Sequence, residues 1–340
     1  MDPDVIAPNL KRRLSGVTAT IARLVPLQSR QIGIVATGPG LPAEVPHLPL
    51  WRVALLSRNR WRVWHARRNT EMLAGLVLRY LLGCRLRLLF TSASQRQHSR
   101  YSRWLIARMD RLVATSDRGA SYLKRPATVI MHGIDTAGFS PAPDRAALRA
   151  LLGLPDGVLV GCYGRIRAQK GTDLFVRALI EVCHEQPQVT GLVMGRATEG
   201  HGAFLDGLRA EVAAAGLDGR IRFLPEVTVD QMADWYRALD LYVAPQRWEG
   251  FGLTPLEAMA CGVPVVAADV GAFDQLIVPA VGTIVPAGDQ GALTHAVRDW
   301  LGDPARLAAG GKAARAHVVA RHGIAAEAAA LCAVYRQMLA

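Results

Sequence analysis

Short apolar runs separated by helical stretches recur along this chain, and that alternation restricts its fold more than any single motif. In the first half the runs fall at 31–36, 61–64, 87–90, 111–114 and 127–131; in the second, at 158–163, 191–194, 221–223, 239–244 and 263–267. Such runs alternating with helices are the pattern of parallel sheets covered on both faces. With 340 residues the chain is long enough for two such domains, each burying its own core. The segment from His132 to Pro141 reads as the end of the first, and 325–338 as a last helix. The most apolar stretch, 72–90, contains Arg79, Arg85 and Arg87 and divides at Gly83. It therefore reads as a helix over 71–82 followed by a strand, because three arginines would be costly in a membrane span.

Two stretches of the second half carry chemistry. From Val158 to Asp173 the order is buried strand, glycine turn, two spaced cations Arg165 and Lys170, and a helix start at Thr172. Cations leaving the carboxyl end of a parallel strand stand where open α/β sheets bind ligands, and a guanidinium with an ammonium suits a diphosphate. Surface cations would give the same pattern. The second stretch runs from Glu249 to Gly262. Thr254 suits a helix N-cap, Pro255 the first helical position and Gly262 a left-handed stop. The glycines at 250 and 252 leave room for a phosphate at the helix start. Glu249 and Glu257 would flank the ligand and accept hydroxyl hydrogen bonds. The alternatives are a capping box between Thr254 and Glu257, which needs no ligand, and a solvated Glu249.

An ordered series joins these stretches: Gly164-Arg165 with Lys170-Gly171, Val193-Met194-Gly195-Arg196, Phe223-Leu224-Pro225, Trp235 through Pro245, Glu249 through Glu257, and Pro264-Val265-Val266. It resembles the retaining glycosyltransferases of family 4. The resemblance implies an α/β protein of the GT-B type, with two Rossmann-like domains facing each other across a donor/acceptor cleft. Residues 1–140 would bind acceptor, 141–322 would bind the nucleotide-sugar, and 323–340 would form a helix packing back on the first domain. Arg165 and Lys170 would neutralise the donor diphosphate and stabilise the departing nucleoside diphosphate, acting with Glu249 as the catalytic set. Glu249 would sit beside the transferred sugar and Glu257 would hold the ribose. Gly164, Arg196, Gly250, Phe251, Gly252, Leu253 and Thr254 would complete the donor contacts, and Gly16 would offer backbone to the phosphates. The resemblance implies no metal and no cofactor beyond the donor, and no His/Cys ligand spacing is present. Relatives carry a histidine after the strand that here ends near Thr91, but this chain has none at that point; His65 and His98 read as structural or solvent-facing.

Charge divides the chain. Residues 1–140 hold 22 Lys/Arg against 7 Asp/Glu, a net +15, while the remainder holds 18 against 21, a net −3. The basic half suits an anionic acceptor or lipid head groups, although a merely solvated basic face is the alternative. Nothing in it resembles a nucleic-acid module. Within the family, the run Ile6 to Thr18 together with Val63 to Asn69 resembles bacterial lipopolysaccharide-core mannosyltransferases that use GDP-mannose. That implies a membrane-surface glycolipid acceptor met by Lys11, Arg12, Arg13, His65, Arg67 and Arg68, and a cytoplasmic enzyme lying peripherally at the inner membrane. The acidic start and the lack of an apolar core after it give no secretory signal. Five widely spaced cysteines read as buried free thiols. Competing readings are a UDP-sugar donor, an epimerase or phosphorylase on the same fold, and a non-catalytic scaffold.

Overall fold

The computed structural model describes residues 2–12 and 16–340, and the chain separates into two compact units. Unit 1 comprises 1–133 with 324–340, and unit 2 comprises 134–323. In unit 1 the chain passes through β1 (Val5–Pro8), α1 (Gly16–Gln28), β2 (Ile34–Thr37), α2 (Leu50–Ala54), β3 (Arg62–Ala66), α3 (Asn69–Tyr80), β4 (Leu86–Ser92), α4 (Arg100–Ile106), β5 (Arg111–Ala114), α5 (Asp117–Ser121) and β6 (Thr128–Val129). These strands form one parallel sheet in the order β2-β1-β3-β4-β5-β6.

Unit 2 contains α6 (Arg145–Leu151), β7 (Val158–Tyr163), a 3-10 turn over Ala168–Lys170, α7 (Thr172–Glu185), β8 (Val189–Met194), α8 (Gly202–Ala214), β9 (Ile221–Leu224), α9 (Met232–Arg237), β10 (Leu241–Ala244), α10 (Thr254–Ala260), β11 (Val265–Ala268), α11 (Phe273–Leu276), β12 (Gly282–Val285), α12 (Gln290–Leu301) and α13 (Pro304–Arg321). Its parallel sheet has the order β12-β11-β10-β7-β8-β9. The final helix, α14 (Ile324–Leu339), belongs to unit 1.

Both sheets are covered on two faces, as the apolar runs predict, and both are Rossmann-like. In unit 1, α1 and α14 bury Ile21, Leu24, Leu331 and Tyr335 against one face, while α2, α3 and α4 bury Val53, Met72, Leu76 and Leu105 against the other. Gly75 fixes the inner side of α3: a Cβ there would stand 2.6 Å from the Trp64 ring. Two strands escape the sequence reading. β1, four buried residues ending in proline, is too short for a periodic signal, and β12 carries only two fully buried positions. All five cysteines are buried and unpaired. Among the described residues no helix is long and apolar enough to cross a membrane.

Candidate active site

In each sheet the strand order reverses at one place, between β7 and β10 in unit 2 and between β1 and β3 in unit 1. The loops leaving two such strands diverge, which is where open α/β sheets leave room for a ligand. In unit 2 the β7 loop carries Gly164, Arg165 and Lys170, and the β10 loop carries Glu249. The two loops meet: Lys170 Nζ donates to Glu249 Oε2, while Glu249 Oε1 accepts from the Gly250 N–H at 3.0 Å. Both side chains are about four-fifths buried, at 18% and 19% exposure. Arg165 is exposed beside them and makes no hydrogen bond or ion pair with described residues.

Two contacts that sequence reasoning missed lock the loops together. Arg247 reaches across to Asp173 on α7 with two bonds of 2.7 Å, and its backbone N–H donates to Gln169 O at 3.0 Å. Burial works to raise the Asp173 carboxyl, but the hydrogen bond and charge of Arg247 outweigh it and hold the group below its ordinary value. A fork of this kind is worth about 1.5–3 kcal/mol per charged hydrogen bond before its exposed side is discounted. The second contact is a close backbone approach. Gly171 has φ +69°, and a Cβ there would fall 1.9 Å from Pro245 O. Nothing in a lone arginine or aspartate marks such a pairing in one sequence.

A third cation, Arg167, also went unread. Its Nε is buried without a partner, and burial, then the Arg165 charge, lowers its pKa while Glu249 works in the other direction. Arg165, Arg167 and Lys170 thus stand against the single carboxylate of Glu249, a local excess of two positive charges. Gln246, which is 4% exposed and also has an unpartnered Oε1, lines the same recess as Arg165, Lys170 and Thr172. A cavity of about 650 Å³ lies elsewhere in unit 2, along α13, and includes none of these groups.

The helix after the acidic loop corrects the expected capping. The residue before α10 is Leu253, with no side-chain cap, so Thr254 is the first helical residue and forms no capping box. Thr254 instead hydrogen-bonds Tyr242, and Glu257 Oε2 accepts from Tyr236 Oη at 2.8 Å. Tyr163, Tyr236 and Tyr242 pack as one aromatic group with centroids 5.2–5.8 Å apart, and burial raises all three phenols. They form a dry floor under the helix. Phe251 is also buried, and its carbonyl accepts from the Ala272 N–H at 3.1 Å. Gly252, at φ +87°, has no room for a side chain because a Cβ would meet the Phe273 ring at 2.3 Å. Gly250 and Leu253 are half-buried, and Gly164 takes φ +137° with open space around it. Arg196 is exposed and pairs with Glu226 at 3.4 Å.

The acceptor candidates separate into two groups around the switch point of unit 1. Lys11 and Arg12 are exposed after β1, Gly16 opens α1 with nothing within 4 Å of its Cβ position, and Arg13 lies outside the described residues. The residues after β3 are engaged instead. Arg68 donates to Asn9 Oδ1 at 2.9 Å and to the fully buried Glu71 at 2.9 Å. Arg67 donates through its backbone to Glu71 Oε2 and through its guanidinium to the His65 carbonyl. His65 departs furthest from an acceptor role. It is fully buried, with Nδ1 2.7 Å from Tyr335 Oη and Nε2 2.6 Å from Thr91 Oγ1, and burial, then Arg67, lowers its pKa well below the ordinary value. His98 is half-buried, and its Nε2 has no partner. Among the described residues no three His, Cys, Asp or Glu side chains gather as a metal site.

Two six-stranded parallel Rossmann-like sheets, one carrying a basic loop joined to an acidic glycine loop, give the chain the GT-B fold. Residues 144–317 match the model of the family "Glycosyl transferases group 1", and the chain belongs to that family. It is 52% identical to the lipopolysaccharide core biosynthesis mannosyltransferase LpcC of Rhizobium leguminosarum bv. viciae, over 99% of this chain and 97% of that one. It is 50% identical to the corresponding mannosyltransferase LpsB of Rhizobium meliloti, over 99% and 98%. Among solved structures, Anabaena Alr3699/HepE in complex with UDP shares the fold, with a TM-score of 0.84 at 19% identity over 98% of this chain and all of that one.

Proposed function

We propose that this chain transfers mannose from GDP-mannose, with retention and without a metal ion, to a glycolipid of the lipopolysaccharide core at the cytoplasmic face of the inner membrane. The observation that carries the reading is the extent of the 52% identity: it runs through both units, so it includes the half that would select the acceptor as well as the half that would hold the donor. The geometry of unit 2 supports it. Arg165, Arg167 and Lys170 supply the charge that a diphosphate needs without a divalent ion. Glu249 pairs with Lys170 and Glu257 accepts from Tyr236, contacts that support a reading in which Glu249 meets the sugar and Glu257 the ribose. When a diphosphate engages Lys170, Glu249 gives up its counter-ion and is free to accept a sugar hydroxyl. Lys11 and Arg12 remain available to acceptor phosphates.

The test is incubation with GDP-mannose, UDP-glucose or UDP-galactose and a truncated core acceptor, with and without EDTA. Transfer of α-configured mannose from GDP-mannose alone, undiminished by EDTA, is expected; turnover with a UDP-sugar alone overturns the donor assignment. Turnover without any glycan acceptor would favour an epimerase or phosphorylase.

A further inference from the structure

The outward side of the α2–α3–α4 layer is unlike a solvated helical surface. Helices packed on a sheet ordinarily turn a polar stripe to water. Here α3 buries Met72 and Leu76 against the sheet and still presents Leu73, Val77, Tyr80 and Leu81 on its other side, at the spacing of one helix face. Around α2, Trp51 is 61% and Leu55 is 71% exposed; on α4, Tyr101 and Trp104 stack at 6.4 Å and are both exposed. These three helices cover the same face of the sheet. An apolar surface drawn from three neighbouring helices marks an interaction site.

Charge identifies what the surface meets. Between residues 50 and 109 the chain has thirteen arginines, no lysine and one acid, Glu71, which is fully buried against Arg68. Three of these arginines lie among the exposed rings: the Arg52 guanidinium stands 5.1 Å from the Trp51 ring centre, Arg108 stands 4.0 Å from that of Trp104, and Arg79, which also pairs with Asp110, stands 5.4 Å from that of Tyr80. Tryptophan and tyrosine interleaved with cations suit the boundary between lipid head groups and acyl chains, where the ring enters and the guanidinium stays with the phosphates. A second copy fits poorly, because a two-fold contact would set this arginine-rich surface against itself.

We propose that this face docks on a leaflet of anionic phospholipid. The proposal rests on the reading of a membrane-borne acceptor, to which it adds the surface responsible. The test uses the full chain, without donor or acceptor, sedimented with vesicles of phosphatidylcholine alone or mixed with phosphatidylglycerol. Two variants are compared with the wild type: W51S/L55S/L81S, which removes the apolar contacts, and R52Q/R103Q/R108Q, which removes charge. The wild type is expected to bind the anionic vesicles, with partitioning that falls roughly tenfold or more in each variant and weakens with salt in proportion to anionic lipid. Both variants should keep the wild-type melting temperature and mannosyl transfer to a detergent-dispersed acceptor. Unchanged vesicle binding in folded variants overturns the proposal, as does equal binding to neutral vesicles. So does wild-type dimerisation that the variants abolish, or binding confined to an acidic protein. A wild type that transfers in detergent but binds no vesicles would sink this docking face and leave the proposed activity standing; a wild type that binds vesicles without transfer would do the reverse.

Discussion

Glu249 is the residue on which the candidate chemistry turns, because it alone balances Lys170 among three cations. Glu249→Gln keeps its shape and removes its charge. Mannosyl transfer should then fall by about 10²-fold or more in kcat, with a melting temperature close to wild type, since the cations would hold the diphosphate but the sugar would lose its carboxylate. Steady-state kinetics with GDP-mannose measures this, and retention of most activity would remove Glu249 from the mechanism. That the loop of Arg165 and Lys170 and the loop of Glu249 share one end of the sheet was legible, because strand ends, glycines and charges fall in a recognisable order. Arg167, Gln246 and the Arg247–Asp173 fork were not, because an unpartnered atom or a pairing between loops far apart in sequence has no local pattern. His65, which the sequence reads both as structural or solvent-facing and as an acceptor candidate, is decided by the fold, where Tyr335 and Thr91 lie on its two nitrogens.

At the scale of elements, the junction of the β7 and β10 loops depends on backbone proximity as well as on charge. Gly171 and Gly216 have nearly the same dihedral, φ +69° and +68°, but only Gly171 faces a carbonyl, while Gly216 has nothing within 4 Å. Gly216→Ala should cost about 1 kcal/mol, the strain of a left-handed alanine alone, whereas Gly171→Ala should cost roughly 2–4 kcal/mol because Pro245 O has to move. Urea denaturation of the two variants separates the contributions, and equal losses would mean that the loops are not pressed together. The alternation of strands and helices was readable except at β1 and β12, and the Gly262 stop at φ +78° agrees with the sequence. What failed at this scale was the first turn of α10: Thr254 and Glu257 have capping-box spacing, yet each side chain finds a buried tyrosine instead.

For the whole molecule, the buried histidines set the response to acid. His65 in unit 1 titrates well below its ordinary value because of burial and Arg67; His322 in unit 2 is lowered to about 4 by burial, His317 and Arg321. The unfolded chain, whose histidines titrate near 6.5, therefore binds more protons than the folded one below that pH. The stability they contribute is complete above pH 6.5 and is lost as pH falls, reaching about pH 4 for His322. Asp173 acts in a lower window: its depressed pKa stabilises the fold above the ordinary carboxylate value and is lost as pH falls through the folded value. Denaturant midpoints should hold above about pH 6.5 and decline below it toward about pH 4, and a midpoint that rises on acidification would contradict this assignment. The helix α14 has a separate consequence, for the order in which the protein is made. Leu331, Cys332, Tyr335 and Met338 complete a core begun by Ile21 and Leu24, so unit 1 has to wait for residues 324–340, whereas unit 2 is continuous and is synthesised before them. A nascent chain would thus carry a finished second unit and a first unit with one apolar face still bare. Apolar surface left bare in that interval is the kind that aggregates and that chaperones cover.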